Sequence, residues 1–173
     1  EVPERPLRLG LWEFTRGYAH LRTGSADSAA AYLASVDEKA STLPDNVTER
    51  NNRGSDLLSI TGNILRGEML RSEGKLDEAI AVLELAVETH DGLEYAEPEA
   101  LNFSARHWLG AALLEAGRYS DAERVYVGDL EQHPHNGWSY FGLERALRAQ
   151  DKISEADRIK AEFNRVWQRA DII

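Results

Sequence analysis

The sequence predicts an all-α fold built from antiparallel helix pairs. Residues 73–79 and 116–122 share one pattern, a glycine followed by an acidic residue and an alanine, and each copy lies between two runs with apolar residues at helical spacing. The glycine suits the end of one helix and the acidic residue suits the start of the next. The alanine, Ala79 or Ala122, allows close packing of the second helix on the first. Two neighbouring helix-turn-helix units are therefore expected.

Composition limits the partners of this chain. It has 173 residues, of which 42% are hydrophobic, and its formal net charge is -10. Such a charge opposes attraction to phosphate backbones and anionic lipid, so nucleic acid is not an expected partner. The longest apolar runs are shorter than the roughly 20 residues of a membrane span, so no membrane insertion is expected. From this length we expect one domain covering residues 1–173.

Acidic residues are concentrated between Glu73 and Glu99. This stretch has nine acids and one base, Lys75. We interpret it mainly as a solvated helix face with an acidic loop, and alternatively as a docking surface for a basic partner.

The chain has no cysteine, which excludes disulfides, zinc-thiolate sites and a cysteine nucleophile. It begins Glu1-Val2-Pro3 without an initiator methionine or a leader, so we expect the C-terminal part of a longer protein, and both cytoplasm and periplasm stay open as its compartment.

The first predicted helix pair covers residues 7–40. Its first helix carries an apolar stripe, Gly24 ends that helix, and Ala29 lies near the start of the second helix. The stripe consists of Leu11, Phe14, Tyr18 and Leu21. Residues 41–55 contain proline, glycine and four Asn or Asp residues, which predicts an irregular polar connection with at most one helical turn.

Three more helix pairs follow at residues 56–90, 98–134 and 136–171. The connection 89–98 is acidic, and Pro98 suits the first turn of the next helix, where its missing N–H costs nothing. Pro134 marks the end of the third pair, because the residue before a proline avoids helical geometry. In the fourth pair Asp151-Lys152 replaces the turn glycine.

The small residues Ala29, Ala79, Ala122 and Ala156 mark the repeat. Their spacings are 50, 43 and 34 residues, and the two longer spacings contain the two irregular connections. A helix-turn-helix unit with a period of about 34 residues is typical of the tetratricopeptide repeat. The third copy carries nearly every signature residue in register: Leu109, Gly110, Leu113, Gly117, Tyr119, Ala122, Tyr126 and Pro134.

The chain thus resembles the tetratricopeptide-repeat family. The match continues in Gly67, Leu70, Gly74, Leu76 and Ala79, whereas Glu13, Arg16, His20 and Arg66 stand where the family has apolar residues. More narrowly, the segment from Glu97-Pro98 to Asn136-Gly137-Trp138 resembles the C-terminal end of bacterial repeat proteins of undefined role. The resemblance implies a superhelix (α-solenoid) of about four helix pairs.

In this family the concave side, formed mainly by the first helix of each pair, usually binds extended peptides or a partner's helix. The resemblance therefore implies a non-catalytic scaffold with a protein or peptide partner. Projection of the first helices gives the candidate binding residues, which are Glu68, Arg71, His107, Trp138, Phe141, Arg145 and Arg148. Arg145 and Arg148 lie at i and i+3, near enough together to hold a carboxylate.

Two other functions remain open. The chain could be a capping or oligomerisation module that uses the stripe on its first helix, giving a homo-oligomer. Alternatively, His107, His133 and His135 could bind a metal and support an enzyme, although His133 and His135 straddle a proline and His107 lies within a helix. Because no phosphate loop, metalloprotease helix or nucleophile elbow occurs, we expect no enzyme, no metal and no cofactor.

Overall fold

The computed structural model describes residues 5–170. Its elements, in chain order, are the helices and short strands α1 (Pro6–Arg22), α2 (Ala26–Thr42), β1 (Thr48–Glu49), β2 (Asn52–Arg53), α3 (Gly54–Ser72), α4 (Leu76–Asp91), α5 (Arg106–Glu115), α6 (Tyr119–Gln132), α7 (Gly137–Arg148) and α8 (Ile153–Trp167). The start of the chain at Glu1-Val2-Pro3 and the predicted end of the fourth pair at residue 171 lie outside this range. The predicted all-α class, with four helix pairs of the tetratricopeptide-repeat type, is confirmed.

One turn geometry joins the helices of every pair. Gly24, Gly74 and Gly117 adopt φ between 72° and 83°, and Asp151 takes the same place in the fourth pair with φ 59°. The residue after each of them donates its N–H to the carbonyl five residues earlier, at 2.8 to 3.1 Å, which is the hydrogen bond of a Schellman helix end. Asp151 therefore performs the role of the missing glycine.

The four marker alanines are buried near the start of the second helix of each pair. Ala29, Ala79, Ala122 and Ala156 are all fully buried. Each donates its N–H to the carbonyl four residues earlier, so each lies in the first turn of its helix. The predicted alignment of the four repeats is consistent with these positions.

The chain forms two compact units, residues 1–105 and residues 106–173. We call them the N-terminal unit and the C-terminal unit and describe each by itself. The N-terminal unit contains α1 to α4 with the hairpin, and the C-terminal unit contains α5 to α8. The single domain expected over residues 1–173 stays a prediction.

In the N-terminal unit, polar pairs replace apolar contacts that the family pattern would supply. Glu13 is buried on α1, where it accepts hydrogen bonds from Ser35 (3.0 Å) and Lys39 (3.1 Å) of α2. Arg66 of α3 forms an ion pair with Asp37 of α2 at 2.5 Å. These departures from the repeat pattern thus hold α2 against the helices on either side of it.

The connection after α2 contains one hydrogen-bonded turn, in which the Val47 N–H donates to the Pro44 carbonyl at 2.9 Å, and then a β-hairpin. Strands β1 and β2 pair antiparallel, with Thr48 opposite Arg53 and Glu49 opposite Asn52. Arg50 and Asn51 between them have φ of 50° and 66°. Positive φ at both central residues is the requirement of a type I′ turn, which matches the twist of paired strands.

The predicted start of the third helix pair at Pro98 is wrong. Helix α4 ends at Asp91, and α5 begins only at Arg106. Residues 92–105 follow a non-helical path, with the Glu97–Pro98 peptide in the cis form. Long-range contacts, described below, fix the main chain of this segment outside a helix and override the local preference of proline for a first helical turn.

The C-terminal unit is built around Tyr126 of α6. A Cβ atom on Gly110 of α5 would lie 2.4 Å from the Tyr126 ring, and one on Gly142 of α7 would lie 2.1 Å from it. The two glycines let α5 and α7 both approach the hydroxyl-bearing end of one buried ring.

Candidate functional site

Three of the predicted site residues form an exposed row on α7. Trp138 is 58% exposed and Phe141 is 41% exposed. With Arg145 they occupy positions i, i+3 and i+7, which lie on one side of a helix. Most other large apolar side chains of α7, namely Leu143 and Leu147, are buried. The helix thus separates a core side from a side with two large aromatic groups in water.

Aromatic rings of α8 support this row. Trp167 meets the Trp138 ring edge-on, with 5.2 Å between centroids, and Phe163 lies 5.9 Å from Phe141. Phe163 and Trp167 also stack on each other at 5.7 Å. A Cβ atom on Gly137 would come within 2.0 Å of Trp167, so the first residue of α7 must be small for this packing. The exposed rings are held by other rings, which limits their rotation.

The two arginines predicted to act together have different surroundings. The Arg145 guanidinium lies over the Phe141 ring, 5.6 Å from its centroid. Arg148 instead forms ion pairs with Glu144 at 2.6 Å and Asp157 at 3.1 Å. Its hydrogen bond to Glu144, followed by that to Asp157, raises the pKa of Arg148 above its ordinary value. Arg145 is accordingly the better placed of the two for a carboxylate from outside the chain.

His107 belongs to a polar cluster around Asp129, which the sequence reasoning did not identify as a site. Asp129 is fully buried on α6. Its carboxylate accepts hydrogen bonds from Ser139 Oγ and from Asn136 Nδ2, the latter at 2.8 Å. His133 Nδ1 lies 3.1 Å from the same carboxylate and His107 Nε2 lies 3.5 Å from it. One signal was present, because Asp129 follows Ala122 by seven residues and falls on the buried side of α6.

Asn136 connects this cluster to the exposed row. Its Oδ1 accepts the N–H of Trp138 at 3.1 Å and so caps α7, while its Nδ2 also contacts His107 Nε2 at 2.7 Å. A cap of this kind satisfies one of the free N–H groups at a helix start. The cluster therefore holds the start of α7, and with it Trp138, against α5 and α6.

The same cluster bears on the metal hypothesis. Asn136 Nδ2 lies within 2.8 Å of both His107 Nε2 and Asp129 Oδ2, so an amide group that does not bind metals through its nitrogen already contacts both side chains. Between residues 5 and 170, no group of three or more His, Cys, Asp or Glu side chains is arranged to hold a metal ion.

Glu68 and Arg71 lie in the N-terminal unit and contact each other. Glu68 is 7% exposed, and its carboxylate accepts hydrogen bonds from Arg71 and from Tyr18 Oη, the latter at 3.2 Å. This arrangement fixes α3 against α1. Both charges are compensated within the unit, so their predicted role in binding stays a prediction.

The apolar stripe of α1, proposed as an oligomerisation contact, also meets residues of its own unit. Phe14 is 9% exposed and packs against Phe103, with ring centroids 6.2 Å apart. Tyr18 donates to Glu68, as described above. Leu11 and Leu21 are partly exposed. Self-association through this stripe stays a prediction.

The nine acidic side chains between Glu73 and Glu99 are all exposed to solvent, as expected for a solvated face and loop. In the described part of the chain, no helix is both long enough and apolar enough to span a membrane.

Comparison with known proteins gives structural matches. No family model matches the sequence, and no curated protein matches it either. A MamA double mutant and MamA from Desulfovibrio magneticus RS-1 each align with a TM-score of 0.60 and 16% identity, over 96% of this chain and 77% of theirs. Another MamA mutant aligns with a TM-score of 0.53 and 20% identity, over 92% of this chain. MamA is a helical protein of the tetratricopeptide-like type, and at these identities the likeness concerns the fold alone. The chain shares that fold.

Proposed function

We propose that this chain is a non-catalytic scaffold that binds a peptide segment or a partner's helix. The contact is the exposed row of α7, namely Trp138, Phe141 and Arg145. In the sequence prediction this row belongs to the concave side of the array, together with His107, Arg148, Glu68 and Arg71.

The exposure of Trp138 and Phe141 carries the proposal. Large aromatic side chains contribute most of the binding energy in many protein interfaces, because they bury much apolar area with little loss of side-chain entropy. Here two of them are adjacent, more than 40% exposed, and backed by Phe163 and Trp167. A ligand that covers them gains apolar burial without first ordering the surface.

Charge specifies the partner further. Lys160 lies 4.8 Å from the Phe163 ring, so two cations, Lys160 and Arg145, border the aromatic group. A peptide with one large apolar side chain beside a carboxylate, either an acidic residue or a free C-terminus, complements this arrangement. Arg148 contributes less, since Glu144 and Asp157 already compensate its charge.

The experiment is selection of a displayed peptide library on the intact chain, followed by fluorescence anisotropy with the selected peptides. We expect Trp138→Ala and Arg145→Glu each to weaken binding by about tenfold or more, in line with the loss of an interface hot spot. Two matched controls should retain the wild-type affinity. Tyr119→Ala removes an exposed aromatic residue of α6, and Arg8→Glu makes the same charge change on α1.

Circular dichroism of each variant checks that its helix content is unchanged. Selected peptides that bind the Trp138 and Arg145 variants as tightly as wild type would show that the contact lies elsewhere. Failure of the library to yield any specific binder would count against peptide binding altogether.

A further inference from the structure

The segment between α4 and α5 follows a bent, non-helical path and packs on the N-terminal unit. Along residues 101–104, Leu101 is buried, Asn102 is exposed, Phe103 is partly buried and Ser104 is buried. Phe103 packs on Phe14 of α1.

Both ends of the segment are held by side chains of the same unit. Asn52 of the hairpin donates to the Glu94 carbonyl at 3.1 Å and accepts the Glu94 N–H at 2.7 Å. This pair of bonds resembles the pairing of two strands. At the other end, the N–H of Ala105 donates to His90 Nδ1 at 3.2 Å. The main chain is thus anchored by polar contacts, and the apolar side chains fill the space between the anchors.

The surface under Phe103 corresponds to the candidate binding surface of the C-terminal unit. Phe14 and Phe141 each lie fifteen residues before the marker alanine of their repeat, and Tyr18 and Arg145 each lie eleven residues before it. Ile64 of α3, at the first of these positions in the second repeat, is fully buried. On α1, the position that corresponds to the exposed Phe141 is therefore in contact with the chain's own segment.

We propose that residues 93–105 are an internal ligand of the α1 surface around Phe14. This surface accepts a peptide segment with large apolar side chains, of which Phe103 is the one that meets Phe14. A partner peptide of that kind competes with the segment and binds once the segment has left. The proposal concerns the N-terminal unit and does not depend on the function assigned to α7.

The test uses a fluorescein-labelled synthetic peptide with the sequence of residues 92–105. In wild type the attached segment competes at the high effective concentration that a short connection provides, so the added peptide binds weakly. In the full-length variant Leu101→Ser with Phe103→Ser the attached segment competes poorly. We expect this double variant to bind the labelled peptide at least about tenfold more tightly than wild type.

Two further variants separate the surface from the segment. Addition of Phe14→Ala to the double variant should abolish the gain, because it removes the ring on which Phe103 packs. Tyr95→Ala changes an exposed aromatic residue of the same segment and should bind the peptide as weakly as wild type does. Trp138→Ala should likewise have no effect on this peptide.

Asn52→Ala keeps the proposal testable if the double variant loses helix content. It removes one anchor without changing Leu101 or Phe103, so the peptide should bind it with an affinity between those of wild type and the double variant. A folded double variant that binds the peptide no better than wild type would overturn the proposal. So would an Asn52→Ala protein in which hydrogen exchange of residues 93–105 accelerates while the peptide still fails to bind.

Discussion

Phe14 and Phe141 occupy the same position of the repeat, yet one is covered and the other faces solvent. Phe14 of α1 is 9% exposed, whereas Phe141 of α7 is 41% exposed. Both stand on the first helix of a pair, fifteen residues before a buried alanine. The helices themselves therefore do not determine the difference.

The inserted segment contributes to it. In the N-terminal unit the Phe14 ring packs against both Phe103 and Tyr18, and Tyr18 and Arg71 compensate the Glu68 charge. In the described part of the C-terminal unit, the Phe141 ring contacts the Phe163 ring and the Arg145 guanidinium. The same repeat position thus contacts the inserted segment in the N-terminal unit and is an open surface in the C-terminal unit.

Replacement of each phenylalanine by alanine tests the difference between the two positions most directly. Phe14→Ala should lower the free energy of unfolding by about 3 kcal/mol, since it removes a buried ring and leaves a cavity beneath Phe103. Phe141→Ala should cost only about 1 kcal/mol, because much of that ring is already in water. Urea unfolding followed by circular dichroism measures both values. Equal losses in the two variants would show that exposure does not distinguish the two surfaces.

The helix pairs were predictable because their determinants are local. A glycine at a helix end, an alanine four residues into the next helix and apolar residues at helical spacing act over a few residues. The turn at Asp151 was located for the same reason, although its residue type differs from the others. Local signals failed at Pro98, where the contacts of Asn52 with Glu94 and of Phe103 with Phe14 depend on distant parts of the chain.

The candidate site was predictable in part. Helical projection placed Trp138, Phe141 and Arg145 on one side of α7, and the structure places them there. It could not show that Arg148 pairs with Asp157 of α8, since that contact depends on how two helices cross. The Asp129 cluster was not predicted from the sequence for a similar reason, because its members come from α5, α6, α7 and the turn before α7.

A glycine substitution in α7 tests the packing of the helix that carries the exposed row. Gly142→Ala should destabilise the chain by roughly 1 to 3 kcal/mol, because the buried Tyr126 ring also meets Gly110 and has little room to move. The matched control is Gly128→Ala, where an added Cβ atom would meet Arg106 Nε at an ordinary contact distance of 3.5 Å. Alanine there should be neutral or stabilise α6 by up to about 1 kcal/mol. Thermal unfolding of both variants measures their stabilities. Similar melting temperatures would contradict the tight packing around Tyr126.

The smallest expected effect concerns the ion pair between Glu123 of α6 and Lys152 at the start of α8, at 2.6 Å. The hydrogen bond from Lys152 lowers the pKa of Glu123 below its ordinary value of 4.5, against the opposing effect of burial. The stability that the ion pair contributes is therefore complete above pH 4.5 and is lost as the pH falls through the lowered pKa of Glu123 in the folded protein.

Because both side chains are partly exposed, Lys152→Gln should cost only about 0.5 kcal/mol at pH 7. Urea unfolding from pH 7 down to pH 3 should show this difference from wild type shrinking toward zero in the acid range. The control is Arg165→Gln, which removes the more exposed ion pair with Glu162 and should show no such trend. A stability difference for Lys152→Gln that stays constant with pH would mean that Lys152 and Glu123 act through packing instead of charge.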